Sequence, residues 1–248
     1  MILLFMKNTA IIIPTRLGAK RFPNKPLARI NNIPMIVHVF NRAKESKVGD
    51  VYVATPDKQI VDIVTQNGGK AILTNDSHYS GSDRIHEVYK KYLQDKVDLI
   101  INLQGDMPNI KSSTILKLEK LMRSTDSEIG TMASYIKNEN EIKNENIVKV
   151  AVEKGLTKDS FLTAKDFFRI SKNQNNEKIY HHIGIYAFTS TALTKYVMFS
   201  RTKLEIERNL EQMRALENNM IIKVGLSDST PLGVDTEEDL NLITKEMK

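Results

Sequence analysis

The chain contains no cysteine, which removes disulfides, thiolate metal sites and cysteine nucleophiles and suits a reducing compartment. No apolar run approaches the roughly 20 residues needed to span a bilayer, so membrane insertion is not expected. The opening Met1-Ile2-Leu3-Leu4-Phe5-Met6 is too short for a signal-peptide core and has neither a preceding basic residue nor a small-residue cleavage site after it. The expectation is a soluble, cytoplasmic protein, translated from Met1 or from Met6. Phosphate-loop signatures are also missing. Neither Gly-x-x-x-x-Gly-Lys-Ser/Thr nor Gly-x-Gly-x-x-Gly follows a strand-like run, which argues against kinases and dehydrogenases. Aromatics make up only 6%, and no stacked-aromatic pattern accompanies the net charge of +6. The lysines are scattered among Asp, Glu and Asn, as in residues 138–146 and 173–176, so nucleic acid is not an expected partner.

The 248 residues, 41% hydrophobic and 27% charged, suit one large α/β domain. Apolar runs alternate with amphipathic stretches, which predicts a mainly parallel, Rossmann-like sheet flanked by helices. Strands are expected at residues 9–14, 50–54, 70–73, 97–103, 129–135 and 220–224. Helices are expected at 34–45, 59–66, 82–92, 112–122, 204–218 and 236–248. Residues 147–153 and 183–188 alternate like antiparallel strands, 138–146 reads as irregular or weakly helical, and 154–177 has no clear pattern.

The most informative segment is Ile11-Ile12-Ile13-Pro14 and the loop that follows, which carries Arg16, Lys20, Arg21 and Lys25 without an acidic residue. Four cations on one loop repel each other, and an anion or solvent must screen them. Either a solvated basic loop or a polyanion site satisfies that condition. In an open parallel sheet, ligands sit beyond the carboxyl ends of the strands. The basic loop and Gln104-Gly105-Asp106 lie after strands, and Gly233-Val234-Asp235-Thr236 lies before the last helix. If the three meet, Asp106 and Asp235 face the loop and are candidates to hold Mg2+, with Arg16 and Lys25 neutralising phosphates. Taken singly, Asp106 also reads as a turn residue and Asp235 or Thr236 as a helix cap. His78-Tyr79-Ser80-Gly81-Ser82-Asp83-Arg84 reads either as a turn with a helix cap or as a polar-ligand loop. His181 and His182, adjacent in an extended chain, point to opposite faces, which argues against a shared metal and leaves one for the crevice. Glu205, Arg208, Glu211 and Gln212 form one ridge if residues 204–218 are a single helix, either a solvated row or a crevice edge.

Taken together, these segments resemble the CMP-Kdo synthetases, the 3-deoxy-manno-octulosonate cytidylyltransferases. The resemblance rests on the N-terminal loop through Arg21-Phe22-Pro23-Asn24-Lys25-Pro26-Leu27, on Ser80-Gly81-Ser82-Asp83-Arg84 and on Asn102-Leu103-Gln104-Gly105-Asp106. It extends through His182-Ile183-Gly184-Ile185-Tyr186, Leu204-Glu205, Leu210-Glu211-Gln212-Met213-Arg214 and Gly233 to Leu240. It implies a single nucleotidyltransferase domain over 1–248, with a sugar-binding and dimerisation lobe at about 135–220. It also implies a homodimer that joins CTP to Kdo, giving CMP-Kdo and pyrophosphate for lipopolysaccharide assembly. By the same resemblance Arg16, Lys25, Asp106 and Asp235 are catalytic, with Mg2+ on the two aspartates. Pro14, Thr15, Ser80, Arg84 and Gln104 join Arg16 and Lys25 on the nucleotide side. His182, Tyr186, Glu211 and Gln212 line the sugar side with Gln104.

The chain departs from the family pattern in places. Met107 stands where a Glu is usual after Gln-Gly-Asp, and Arg208 where an acidic residue is usual. The Ser-Arg linked to sugar-carboxylate binding has only Lys165, in Ala164-Lys165-Asp166-Phe167, as a substitute. The alternatives are a cytidylyltransferase for another acid sugar, a sugar-1-phosphate nucleotidyltransferase, or a nucleotide-binding protein without catalysis.

Overall fold

The computed structural model describes residues 8–18, 21–170 and 178–248. Lys20, the start of the chain and the asparagine-rich residues 173–176 lie outside the described residues. β1 (Thr9–Pro14) is buried along its whole length. Its side chains alternate between two apolar clusters, Ala10 and Ile12 on one face and Ile11 and Ile13 on the other. A strand covered on both faces reads as a continuous apolar run, which is why the sequence signal here is strong. Each fully buried isoleucine contributes about 1.5–3 kcal/mol relative to exposure, before chain entropy is counted.

β1 pairs in parallel with β4 (Asp50–Thr55) on one side and β6 (Leu99–Leu103) on the other. β5 (Lys70–Leu73) extends the parallel set beyond β4. Three helices cover one face with Ile36, Val39, Ile60, Val64, Ile115 and Leu118: α1 (Met35–Glu45), α2 (Lys58–Gln66) and α4 (Ser112–Arg123). α3 (Gly81–Val88) and α6 (Ser190–Met198) cover the other face with Ile85, Val88, Ala192 and Leu193.

Beyond β6 the sheet changes character. β10 (Lys178–Thr189) runs antiparallel to β6 and to β7 (Ile129–Ser134), and β11 (Ile222–Leu226) lies parallel to β7. β9 (Phe161–Phe168) and β8 (Lys149–Val152) close the far edge, giving the order β5-β4-β1-β6-β10-β7-β11-β9-β8, with β8 also pairing back to β10. A two-residue hairpin, β2 (Arg29–Ile30) and β3 (Ile33–Pro34), packs through Ile30 on Val234 and Ile243 beside and within α9 (Glu237–Glu246). That small cluster joins residues 22–35 to residues 232–247.

Several elements differ from the sequence expectation, the short β2–β3 hairpin among them. β9 lies inside the stretch without a pattern, and a bulge where its pairing with β8 shifts register explains why alternation fails there. α6 was not expected, although Thr189 caps it by accepting from the Ala192 N–H. The helix expected at 204–218 is two helices, α7 (Lys203–Arg208) and α8 (Met213–Glu217). Asn209 adopts the left-handed conformation, φ 51°, and ends α7, as Asn does more readily than most residues. The single ridge is therefore corrected. Glu205 is buried against Arg214, Arg208 bonds Asp166, and Glu211 and Gln212 occupy the turn between the helices. α5 (Glu139–Lys143) is short and capped by Asn138.

Candidate active site

The basic loop leaves the sheet at the carboxyl ends of β1 and β4, where the Thr15 N–H donates to Ala54 and the Leu17 N–H to the Asp57 carboxylate at 2.8 Å. Asn24, left-handed at φ 57°, starts a short 3-10 turn, Lys25–Leu27, with Pro26 inside it. The turn directs Lys25 inward. Its ammonium donates to Asp106 Oδ2 at 3.0 Å and to Asp235 Oδ1 at 3.1 Å. Arg21 takes the second oxygen of Asp235 at 2.9 Å. The Val234 N–H donates to the Asp106 carbonyl at 2.9 Å, which fastens the loop after β6 to the segment before α9. Two aspartates that are far apart in sequence thus converge on one cation. Burial alone lowers the Lys25 pKa, but the charges of Asp106 and then Asp235 outweigh it and hold the ammonium above its ordinary value.

Glycine permits this approach at Gly105, where a Cβ would lie 3.2 Å from the Thr15 Cβ and 3.3 Å from the Pro14 carbonyl oxygen. Asp106 and Asp235 keep 33% and 42% of their side chains exposed. Hard carboxylate oxygens, paired, partly open and already compensating a cation, form a donor set that fits Mg2+, which takes one or two carboxylates plus water and phosphate oxygens. Among the described residues no group of three or more His, Asp or Glu gathers as a cage. The rest of such a shell would come from ligand and water.

A cavity of about 850 Å³ opens beside the aspartates, and Gln104, Asp106, His182, Tyr186, Glu211, Gln212 and Asp235 border it. Topology explains the gathering. Antiparallel pairing sets Ile185 opposite Leu103, so the first half of β10 rises beside the end of β6 where Gln104 begins its loop. The β10–β7 register then shifts between Ile183 and Tyr186. In a regular strand residues four apart lie roughly 13 Å from each other, yet the His182 and Tyr186 ring centroids are 5.4 Å apart. The bulge brings both rings into one wall.

His182 is buried, stands edge-on to Phe167 at 5.1 Å and contacts Thr131 Oγ1 through Nε2 at 3.0 Å. Thr131 has one hydroxyl proton, and Ile185 O at 2.7 Å is its closest acceptor. The His182 contact then requires Nε2 to carry the proton, which leaves Nδ1 an acceptor. Burial, with a smaller contribution from His181, pushes the imidazole pKa down to about 3, so it stays neutral. The Tyr186 hydroxyl is buried with no partner among the described residues, and burial and then the Glu211 charge raise its pKa. Burial likewise raises the Glu211 carboxyl, against the Ser82 and Ser80 hydroxyls. Tyr196, on α6, donates to the Glu211 carbonyl at 2.7 Å and fixes the turn. That turn is further anchored by Arg214, whose Nε and Nη2 reach Glu205 at 2.8 and 2.7 Å.

Pro14, Thr15, Arg16, Lys25, Ser80 and Arg84 do not border the cavity. Lys25 touches it through Asp106 and Asp235. Pro14 is buried, with Thr15 beside Gly105, while Arg16 is exposed on the loop. Ser80 is the N-cap of α3, exchanging bonds with Asp83 in a capping box. Arg84 is only 3% exposed, and its Nη1 donates to Thr74 and to the Asn75 carbonyl. Burial and then the charge of Arg16 lower its pKa. Both His181 and His182 border the cavity, where one was expected, because the cavity takes in the start of β10. His181 contacts Glu141 rather than sharing a ligand with His182. Lys165 falls in the β8–β9 bulge, exposed and facing Glu153 at 3.8 Å, so it does not replace the missing Ser-Arg. Sequence reasoning missed Tyr196 and named Ser82 and Arg21 only as members of the His78–Arg84 segment and the basic loop, without a role of their own. Tyr196 had no such signal.

Residues 10–223 match the profile of the cytidylyltransferase family. The 3-deoxy-manno-octulosonate cytidylyltransferase of Thermodesulfovibrio yellowstonii is 42% identical, over 96% of this chain and 97% of that protein. The enzyme of the same name from Rhodopseudomonas palustris is 42% identical, over 94% and 95%. A solved CMP:2-keto-3-deoxy-manno-octonic acid synthetase complexed with CTP superposes with a TM-score of 0.87 at 33% identity, over 97% of this chain and 98% of that one. Identity at this level over nearly the whole length, in the same fold, places the chain in a family: it belongs to the 3-deoxy-manno-octulosonate cytidylyltransferases.

Proposed function

We propose that this chain transfers the cytidylyl group of CTP to the anomeric hydroxyl of Kdo, forming CMP-Kdo and pyrophosphate for lipopolysaccharide assembly. The observation that carries the reading is one cavity joining the Asp106 and Asp235 carboxylates to the buried His182 and the half-buried Tyr186 and Glu211. Relatives bearing the enzyme's name and a relative solved with CTP support it.

The anomeric oxygen attacks the α-phosphorus in line, the bond to the β-phosphate oxygen breaks, and the hydroxyl loses its proton. Such a reaction needs mainly alignment and charge compensation. Arg16 and Lys25 neutralise the triphosphate, with Arg21 beside them on the same loop. Pro14, Thr15, Ser80 and Arg84 shape the nucleotide side. Asp106 and Asp235 would hold Mg2+, which when bound lowers phosphate repulsion and the energy of the leaving pyrophosphate. Gln104 stands at the junction of the two substrates. The neutral His182 offers Nδ1 as an acceptor, and Tyr186, Glu211 and Gln212 offer hydrogen bonds to sugar hydroxyls. These groups orient the attacking hydroxyl and limit the access of water. The same reading makes the molecule a cytoplasmic homodimer, and light scattering of the purified protein tests the assembly.

Pyrophosphate release from CTP in the presence of a panel of sugars tests the activity. Release with Kdo is the expected result. Release with a sugar 1-phosphate and none with Kdo overturns it.

A further inference from the structure

Residues 74–79 join β5 to α3 and end at Ser80, the N-cap of α3. They arrive beside the site. A Cβ on Gly81 would lie 3.2 Å from the Pro14 ring and 3.9 Å from Gln104 Nε2, and Ser82 borders the cavity. The loop buries no apolar side chain of its own. Thr74 is its one buried residue, and Tyr79 is 88% exposed. Its conformation therefore depends on polar contacts rather than on packing.

Two side chains of α3 supply those contacts. Arg84 and Glu87, three residues apart, share one face of the helix, and together they hold the backbone of Asn75. The Asn75 N–H donates to Glu87 Oε2 at 2.9 Å, and the Asn75 carbonyl accepts from Arg84 Nη1 at 2.8 Å. Glu87 Oε2 also lies 2.5 Å from His78 Nε2, while Oε1 accepts from Lys91 at 2.6 Å. An ionised carboxylate only accepts, so His78 carries a proton on Nε2. Burial alone raises the Glu87 pKa, but the bonds from Lys91, His78 and the Asn75 N–H outweigh it and bring it down to about 2. Within the loop the Ser77 N–H donates to Asn75 Oδ1 at 3.0 Å, so the turn is built on the residue that Glu87 holds. Glu87 is also the foremost negative charge opposing the burial and the Arg16 charge that lower the Arg84 pKa.

We propose that Glu87 is a positioning residue for the nucleotide: by holding Asn75 and His78 it fixes residues 74–80 against the end of β1, and so sets the affinity for CTP. The assignment rests on the cytidylyltransferase reading above. Calorimetric titration of CTP into wild type, Glu87→Ala, Glu87→Gln and Lys91→Met tests it. In Glu87→Ala the Kd for CTP is expected to rise at least about tenfold. Glu87→Gln keeps an acceptor for the Asn75 N–H and should raise it about threefold, which decides the matter if Glu87→Ala fails to fold. The KM for Kdo and the single-turnover rate at saturating CTP should change less than about twofold in either. Lys91→Met removes a bond to the same carboxylate that does not reach the loop, and its Kd should stay within about twofold of wild type. A merely structural role would lower Tm and leave the Kd of the folded variants unchanged, and that result overturns the assignment. A rise in Lys91→Met equal to that in the Glu87 variants, or an equal rise in the KM for Kdo, also overturns it. A wild type that binds CTP but releases no pyrophosphate with any sugar ends the parent reading alone. A wild type that does not bind CTP ends both.

Discussion

The two ends of the cavity solve different problems with different chemistry. At one end Asp106, Asp235, Lys25 and Arg21 are charged, mutually paired and, apart from Lys25, substantially exposed. At the other, His182 is buried and Tyr186 and Glu211 are half-buried with their polar ends drawn inward, and burial shifts all three toward their neutral forms. An exposed charged cluster can exchange one ionic partner for another at low cost, which suits a polyanion that must bind and leave. Buried neutral groups cannot rearrange cheaply and leave costly unpaired atoms when the wrong ligand enters, which suits selection of one sugar. Charge therefore handles the phosphates, and buried shape handles the sugar.

The largest effect should come from the support of the sugar end. Arg214→Met leaves Glu205 buried without its bidentate partner, and removing one partner of such a pair costs about 3–5 kcal/mol. Urea unfolding should show that loss, and surviving native protein should bind CTP normally while its KM for Kdo rises. Equal damage to both substrates would erase the distinction between the ends. At the charged end, Lys25→Met removes the cation between Asp106 and Asp235 and should lower kcat by about 10²–10³-fold. Rapid-quench measurement of the chemical step checks it, and an unchanged step would remove Lys25 from the chemistry.

Tyr186→Phe deletes a buried hydroxyl with no partner among the described residues, so its cost should appear only when sugar is bound. The KM for Kdo should rise about tenfold, while thermal stability holds or improves. A stability loss instead would mean that the hydroxyl serves the fold.

A more gradual effect concerns pH. His182 has a folded pKa of about 3, below its ordinary 6.5, so the unfolded chain binds the extra proton first. Its contribution to stability is complete above pH 6.5 and is lost as pH falls from there toward 3, at no more than about 1.4 kcal/mol per pH unit. His182→Gln should flatten the fall in Tm between pH 6.5 and 4.5. An unchanged slope would mean that the imidazole is not held neutral.

The sequence marked the charged end more clearly than the buried one. Ile11-Ile12-Ile13 announces a strand because both its faces are covered, and an acid-free basic loop after it stands out by composition. Asp106 and Asp235 were legible as carboxylates at strand and helix ends, although their meeting depends on the Lys25 turn and the Val234 contact. The buried end depends on irregularities that periodicity does not register. The β10 bulge pulls His182 and Tyr186 together, Asn209 breaks a helix that reads as continuous, and the β9 bulge turns Lys165 outward. Lys149 is buried although its type predicts exposure. Non-local contacts decide each of these positions.

The most direct test of the account is Asp106→Asn, with the single-turnover rate on CTP plus Kdo and the CTP dissociation constant measured on the same preparation. A rate reduced by about 10²–10³-fold, with CTP affinity changed only a few-fold, is the predicted result. Wild-type turnover in that variant, or an equal loss of rate and CTP affinity, would contradict it.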